Sequence, residues 1–211
     1  MLICGIDEAG RGPLAGPVVV AGFINTNNYK NEFITDSKKI SEPDREELFA
    51  EIKVSGCEFF ICRIDHITID RINILAATMK GMGIIAKTLQ EKCDKFLIDG
   101  NYFKLRGNKQ KNYNYETIIE GDDKVFEISC ASILAKVTRD RIMREYCKKY
   151  PQYKFSQHKG YATREHISLV KEHGMSPIHR RSFCKKIFID YSERTEKLEF
   201  AGNGELNEVH I

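Results

Sequence analysis

A chain of 211 residues and 24.3 kDa has the size of one domain with room for a small appendage. No apolar run approaches the ~20 residues of a membrane span, and Asp7 cuts short an N-terminal run that lacks the basic start of a secretory signal. The net charge of +3 and the seven cysteines, with no Cys-x-x-Cys and no Cys/His zinc spacing, argue against a disulfide scaffold or a zinc module and suit a reduced cytoplasm.

The chain opens on a short apolar run, Leu2–Ile6, which reads as a buried strand. Asp7 and Glu8 follow at its mouth, then Gly10-Arg11-Gly12-Pro13. Two such carboxylates are costly: unit charges ~4 Å apart repel by about 4 kcal/mol at an effective dielectric near 20. A hard divalent cation would offset the repulsion, because Mg²⁺ takes carboxylate oxygens and keeps waters. A solvated turn would serve equally well for any single Asp-Glu pair. Successive strand residues face opposite ways, so sharing one site requires the strand to end or bulge between Asp7 and Glu8.

Val18–Ile24 is a β-branched run and the expected second strand, able to pair with the first. Asp36-Ser37-Lys38-Lys39 is a charged loop. Ser41 caps a helix with Pro43 in its first turn and Leu48, Phe49 and Ile52 inward, ending near Gly56. Glu58–Ile64 reads as a third strand. A long helix is predicted from Thr68 to Gln90, weakened at Gly81 and Gly83 by a kink or close packing. Phe96–Ile98 repeats the opening pattern, an apolar run ending in Asp99-Gly100. A basic loop over Lys104–Asn114, a short apolar stretch at Thr117–Ile119 and the acids Glu120, Asp122 and Asp123 come next. Ile128 to about Lys149 is a second long helix stopped by Pro151. Ser156–Tyr161 reads as a loop, Thr163 caps a helix that ends at Gly174, and residues beyond about Asp190 form a polar tail expected to be loosely docked.

Acids thus stand at the ends of separate elements: Asp7-Glu8, Asp99 and Asp122-Asp123. On neighbouring parallel strands Asp7 and Asp99 would share the carboxyl edge, where open α/β sheets hold ligands. Oxygen donors without Cys or His suit Mg²⁺ or Mn²⁺, and two such ions can activate a water and stabilise a leaving oxygen in phosphodiester cleavage. Basic clusters at Lys104–Lys111, Arg139–Lys149 and His179–Lys186 read either as solvated faces or as contacts for a polyanion.

Asp7–Pro13, Gly16-Pro17-Val18-Val19, Asp36-Ser37-Lys38, Ile98-Asp99-Gly100, Gly121-Asp122 with Ile128–Asp140, His158-Lys159-Gly160-Tyr161 and Ser176–Phe183 together resemble the bacterial ribonuclease HII family. They occur in family order from residue 1 to about 183. The resemblance implies an α/β RNase H-like fold, a mixed five-stranded sheet flanked by helices, with residues 1–150 as the catalytic domain. Residues 151–211 would form a C-terminal helical part carrying the substrate-reading loop. It implies an endoribonuclease that hydrolyses the RNA of RNA–DNA hybrids and cuts 5′ of single ribonucleotides in duplex DNA, leaving 5′-phosphate and 3′-hydroxyl ends. It implies a cytoplasmic monomer using two Mn²⁺ or Mg²⁺ ions held by Asp7, Glu8, Asp99 and Asp122, with Asp123 outside the site. Gly10, Arg11, Gly12 and Tyr161 would read the ribose 2′-hydroxyl, and Arg11, Lys38 and Lys136 would approach phosphate. His158, His166 and His179 are expected to orient loops. A hybrid-binding module that does not cut, or another metal-dependent nuclease of the same fold such as a DNA resolvase or ribonuclease HIII, are the competing readings.

Overall fold

A computed structural model describes residues 1–34, 37 and 40–188. Lys38, expected at phosphate, and the polar tail lie outside the described residues.

The sheet is built from β1 (Ile3–Ala9), β2 (Val18–Ile24), β3 (Glu58–Ile64), β4 (Lys95–Asp99) and β5 (Tyr115–Ile118), in the order β3-β2-β1-β4-β5. β1 pairs antiparallel with β2 and parallel with β4, while β5 runs parallel to β4. The sheet is therefore the mixed five-stranded one expected. β2 is buried along its whole length, as a continuous apolar run covered on both faces should be. Val19, Ala21 and Phe23 meet the helix α5 (Phe126–Lys149) and α1 (Glu42–Val54). Val20 and Ile24 meet α3 (Ile74–Leu89) on the other side.

Strand β1 faces the same two layers by turns. Cys4 and Ile6 join the α3 side. Gly5 faces α5 so closely that a Cβ there would lie 2.2 Å from the Glu127 carbonyl carbon. Only glycine lets the start of α5 rest on the β1 backbone.

The long helix expected over Thr68–Gln90 is two helices, α2 (His66–Ile72) and α3. The break lies at Asn73, not at the glycines. Asn73 takes φ 64°, and its side-chain oxygen accepts the Ala76 N–H at 3.0 Å to cap α3. Gly81 and Gly83 serve close packing, one of the two expectations for them. A Cβ on Gly81 would lie 2.6 Å from Val20, and one on Gly83 would lie 3.0 Å from Leu105. Gly121–Lys124 forms a short α4, and α6 (Phe155–His158) takes up the first half of Ser156–Tyr161, the segment expected as loop. The helix capped by Thr163 is present as α7 (Arg164–His173).

The segment after α5 is fastened by a cluster of three histidines. His158 stacks on His166 with ring centroids 4.2 Å apart, and His166 meets His179 through Nε2 atoms 3.0 Å apart. Backbone donors set the tautomers. The Gly160 and Ser176 N–H groups donate to Nδ1 of His158 and His179. Nε2–H of His179 must then donate to His166, whose Nδ1–H donates to the Tyr161 carbonyl at 2.9 Å. All three rings are neutral. Burial is the main cause that lowers His166 and His179 to about 4 and moves His158 in the same direction. Because these values lie below the ~6.5 of an unfolded imidazole, the stability they contribute is complete above about pH 6.5 and is lost as pH falls toward 4. An NMR titration of the ring protons should find His166 and His179 still neutral at pH 5; protonation of either above pH 6 would contradict the cluster's wiring.

Candidate active site

Parallel pairing gathers the acids. The β1–β4 register aligns Ile6 with Ile98, so one step further sets Asp7 beside Asp99 at the carboxyl edge. Asp99 Oδ1 accepts the Gly121 N–H at 2.7 Å. That bond ties the strand end to α4, which carries buried Asp122 in its first turn. Asp123, the neighbour set aside in the sequence reading, is exposed.

β1 neither ends nor bulges between its two acids. The β2 ladder runs regularly through Asp7, Glu8 and Ala9. The condition stated for a shared site is therefore replaced by a different geometry. Asp7 faces the α5 layer and is 5% exposed. Glu8 faces the α3 layer and lines a pocket of about 260 Å³ with Asp99, Arg11, Met79 and Tyr102. The acids surround the end of the sheet from both faces. Among the described residues no three His, Cys, Asp or Glu side chains close into a cage for a metal ion by themselves. An open, all-oxygen arrangement of this kind suits hard cations that take further oxygens from water or phosphate, and it does not suit zinc.

Electrostatics point the same way. Burial, then the charges of Glu8 and Asp99, push the Asp7 carboxyl well above the usual carboxylate range. The Ser132 hydroxyl on α5 and the Glu8 N–H, which donates to Asp7 Oδ1 at 2.7 Å, oppose the shift. Ser132 in turn shares a 2.8 Å hydrogen bond with Ser37, both hydroxyls being buried. A cation at this edge would relieve the repulsion, so the residues present fit a divalent ion.

The loop after β1 is held from beneath by two buried arginines. Arg180, fully buried, donates to the carbonyls of Gly10, Arg11, Gly16 and Pro17 at 2.6–3.1 Å. Arg139 donates to Ala15 and Pro17 at 3.2 and 3.1 Å. Burial, with Arg139 beside it, lowers Arg180 to about 9. Such a position is tolerable because the guanidinium's fixed fork of donors meets carbonyl oxygens. Gly10, with φ 98°, has a reason beyond access to a sugar: a Cβ would lie 2.0 Å from Arg139 Nε. Gly12 has open space except for the Tyr161 ring at 3.7 Å.

Tyr161 is 43% exposed. Its ring stands 5.7 Å from the Arg139 guanidinium, while its N–H donates to the His158 carbonyl. Gly10, Gly12 and Tyr161 thus meet at one place, carried by Arg139, Arg180 and the histidine cluster. Arg11 is exposed and pairs with Glu8 at 3.2 Å. Lys136 pairs with Asp140 on α5 at 2.8 Å, an i,i+4 contact. Reading the sequence alone passes over Ser132, Arg139 and Arg180 as working residues. Arg180 stood inside a basic cluster that looks like surface, and nothing local marks it as buried.

The family model described as Ribonuclease HII matches residues 4–186. The chain is 48% identical over 183 residues to "Ribonuclease HII" of Francisella tularensis subsp. mediasiatica (strain FSC147), spanning 87% of this chain and 95% of the relative. The Pyrococcus horikoshii OT3 ribonuclease H2 structure superposes with a TM-score of 0.68 at 26% identity, covering 93% of this chain and all 100% of that one. The RNase HII in the Archaeoglobus fulgidus PCNA complex superposes with a TM-score of 0.73 at 22% identity, over 100% of this chain and 98% of that one. Bst-RNase HIII in complex with Mn²⁺ shares the fold at 13% identity, with a TM-score of 0.70, over 92% of this chain and 71% of that one. The chain belongs to the ribonuclease HII family, metal-dependent type 2 ribonucleases H that act on RNA–DNA hybrids.

Proposed function

We propose that this protein is an endoribonuclease that cuts the RNA of RNA–DNA hybrids and also cuts on the 5′ side of a single ribonucleotide in duplex DNA, leaving 5′-phosphate and 3′-hydroxyl ends. The observation that carries the reading is the Asp7 carboxyl, pushed up first by burial and then by Glu8 and Asp99, at the edge to which the Asp99–Gly121 hydrogen bond ties α4 with its buried Asp122. In this reading Asp7, Glu8, Asp99 and Asp122 hold two divalent cations, Mg²⁺ or Mn²⁺. Bound there, such ions supply Lewis-acid activation of water and charge for the departing 3′-oxygen.

The chain's own residues do the rest. Asp7 and Glu8 keep ligands on both faces of the sheet edge, open to a phosphate. Gly121, through its N–H, holds Asp99 in orientation. Gly10, Arg11 and Gly12 offer backbone groups to the ribose, and the Tyr161 hydroxyl reads the 2′-oxygen, the one atom that separates RNA from DNA. Arg11 and Lys136 serve as phosphate contacts only by leaving Glu8 and Asp140. Lys38 keeps that role as a proposal from its motif. The enzyme is taken to work as a monomer in the cytoplasm.

A gel assay on a DNA duplex with one internal ribonucleotide tests the reading. Wild-type protein should cut with Mg²⁺ or Mn²⁺ and not with EDTA. Asp7→Asn should abolish turnover yet still bind the duplex; wild-type cutting by that variant would refute the assignment. Tyr161→Phe, which removes one hydroxyl and no core contact, should slow cutting at the lone ribonucleotide by about tenfold, the worth of one hydrogen bond to the sugar. An unchanged rate would remove Tyr161 from ribose reading.

A further inference from the structure

Leu75, Met79 and Tyr102 line the pocket that holds Glu8 and Asp99, and they also line a wider groove of about 1100 Å³ beside it. The groove lies between the start of α3 and the segment after β4. Its walls carry Arg71, Lys80, Lys104 and Arg106, all exposed, and no Asp or Glu. Elsewhere Lys92, Lys95, Lys124 and Lys148 each sit on a carboxylate. Among the described residues none of the groove's four cations does. Asp65, held low chiefly by the Thr68 N–H with a smaller contribution from Arg71, lies outside the lining.

The basic segment is built onto α3. Phe103 is 6% exposed and packs edge-on against Tyr115 at 4.9 Å, which leaves its neighbours Tyr102 and Lys104 facing outward. The Lys104 N–H donates to Met79 Sδ at 3.4 Å, and Leu105 rests where Gly83 has no side chain. Tyr102 is 46% exposed, a large ring held at the junction between pocket and groove. A duplex offers its exterior as phosphate and sugar, for which an aromatic face and an apolar floor have little use. An unpaired strand offers both phosphates and base faces, which basic side chains and an aromatic ring receive together.

We propose that this groove takes a single-stranded flank of the nucleic-acid substrate, its phosphates met by Arg71, Lys80, Lys104 and Arg106 and one base stacked on Tyr102. The proposal rests on the reading of the carboxylates as the cutting centre, since the groove opens from their pocket. It extends that reading to substrates whose strand is unpaired next to the cleavage point.

Fluorescence anisotropy with a labelled all-deoxy oligothymidylate in EDTA tests it without cleavage. Wild-type protein should bind with a steep salt dependence. The double variant Lys104→Ala, Arg106→Ala should reduce the slope of log K against log salt by about 1.4, at roughly 0.7 per lost phosphate contact. Tyr102→Ala should weaken binding by about tenfold. A control, Lys92→Ala with Lys148→Ala, removes the same charge away from the groove and should leave the slope unchanged. No binding by wild-type protein, or equal losses in groove and control variants, would overturn the proposal. Wild-type cleavage of an RNA–DNA hybrid is measured in parallel. Absence of cutting there would sink the catalytic reading, whereas intact cutting with unaltered strand binding by the groove variants would sink the groove alone.

Discussion

The structure depends on one unfavourable interaction that the fold enforces. Parallel pairing of β1 with β4 sets Asp7 beside Asp99, and β1 itself brings Glu8 to the other face of the same edge. Burial removes the water that would screen these charges. The Ser132 hydroxyl and the Glu8 N–H offset part of the cost, and the Asp7 carboxyl still lies well above its ordinary range, first because of burial. A folded protein retains such a repulsion where a cation can relieve it. The close seat of α5 on Gly5 keeps Ser132 on the same side as Asp7.

A second constraint acts on the loop that follows. A glycine-rich turn of this kind would be mobile if its carbonyls faced only water. Arg180 and Arg139 bind those carbonyls from the inside, and the neutral histidine cluster holds the carbonyl of Tyr161 from the C-terminal segment. The surface proposed to read the ribose is thereby fixed from beneath by buried side chains. Arg180 comes from far along the chain, so the shape of this loop depends on the C-terminal part packing against the sheet.

Much of this was legible in the residue order. The apolar runs ending in Asp7-Glu8 and Asp99 gave two strands and their common edge, and Ser41 and Thr163 marked helix starts that the structure retains. The family motifs made the mixed five-stranded sheet an expectation that the structure bears out. What stayed hidden depended on contacts distant in sequence. The sequence leaves Gly81 and Gly83 open between a kink and close packing, and only Val20 and Leu105 decide for close packing. Asn73 breaks the helix because its own side chain caps the next one, a local feature that the apolar periodicity on either side conceals. The regular strand through Asp7 and Glu8 could not be told from a bulged one by sequence, since both carry the same residues. Arg180 sits among cations that read as surface until four carbonyls are found around it.

Burial and like charge hold the carboxylate edge under repulsion that a divalent cation would relieve. Thermal unfolding of the substrate-free protein, with Mg²⁺ or Mn²⁺ against EDTA, tests it most directly. Either ion should raise the melting temperature, by about 2.7 kcal/mol of added stability at a hundredfold excess over its Kd, and Asp99→Asn should lessen the gain. An unchanged melting temperature at ion concentrations that support cleavage would contradict it.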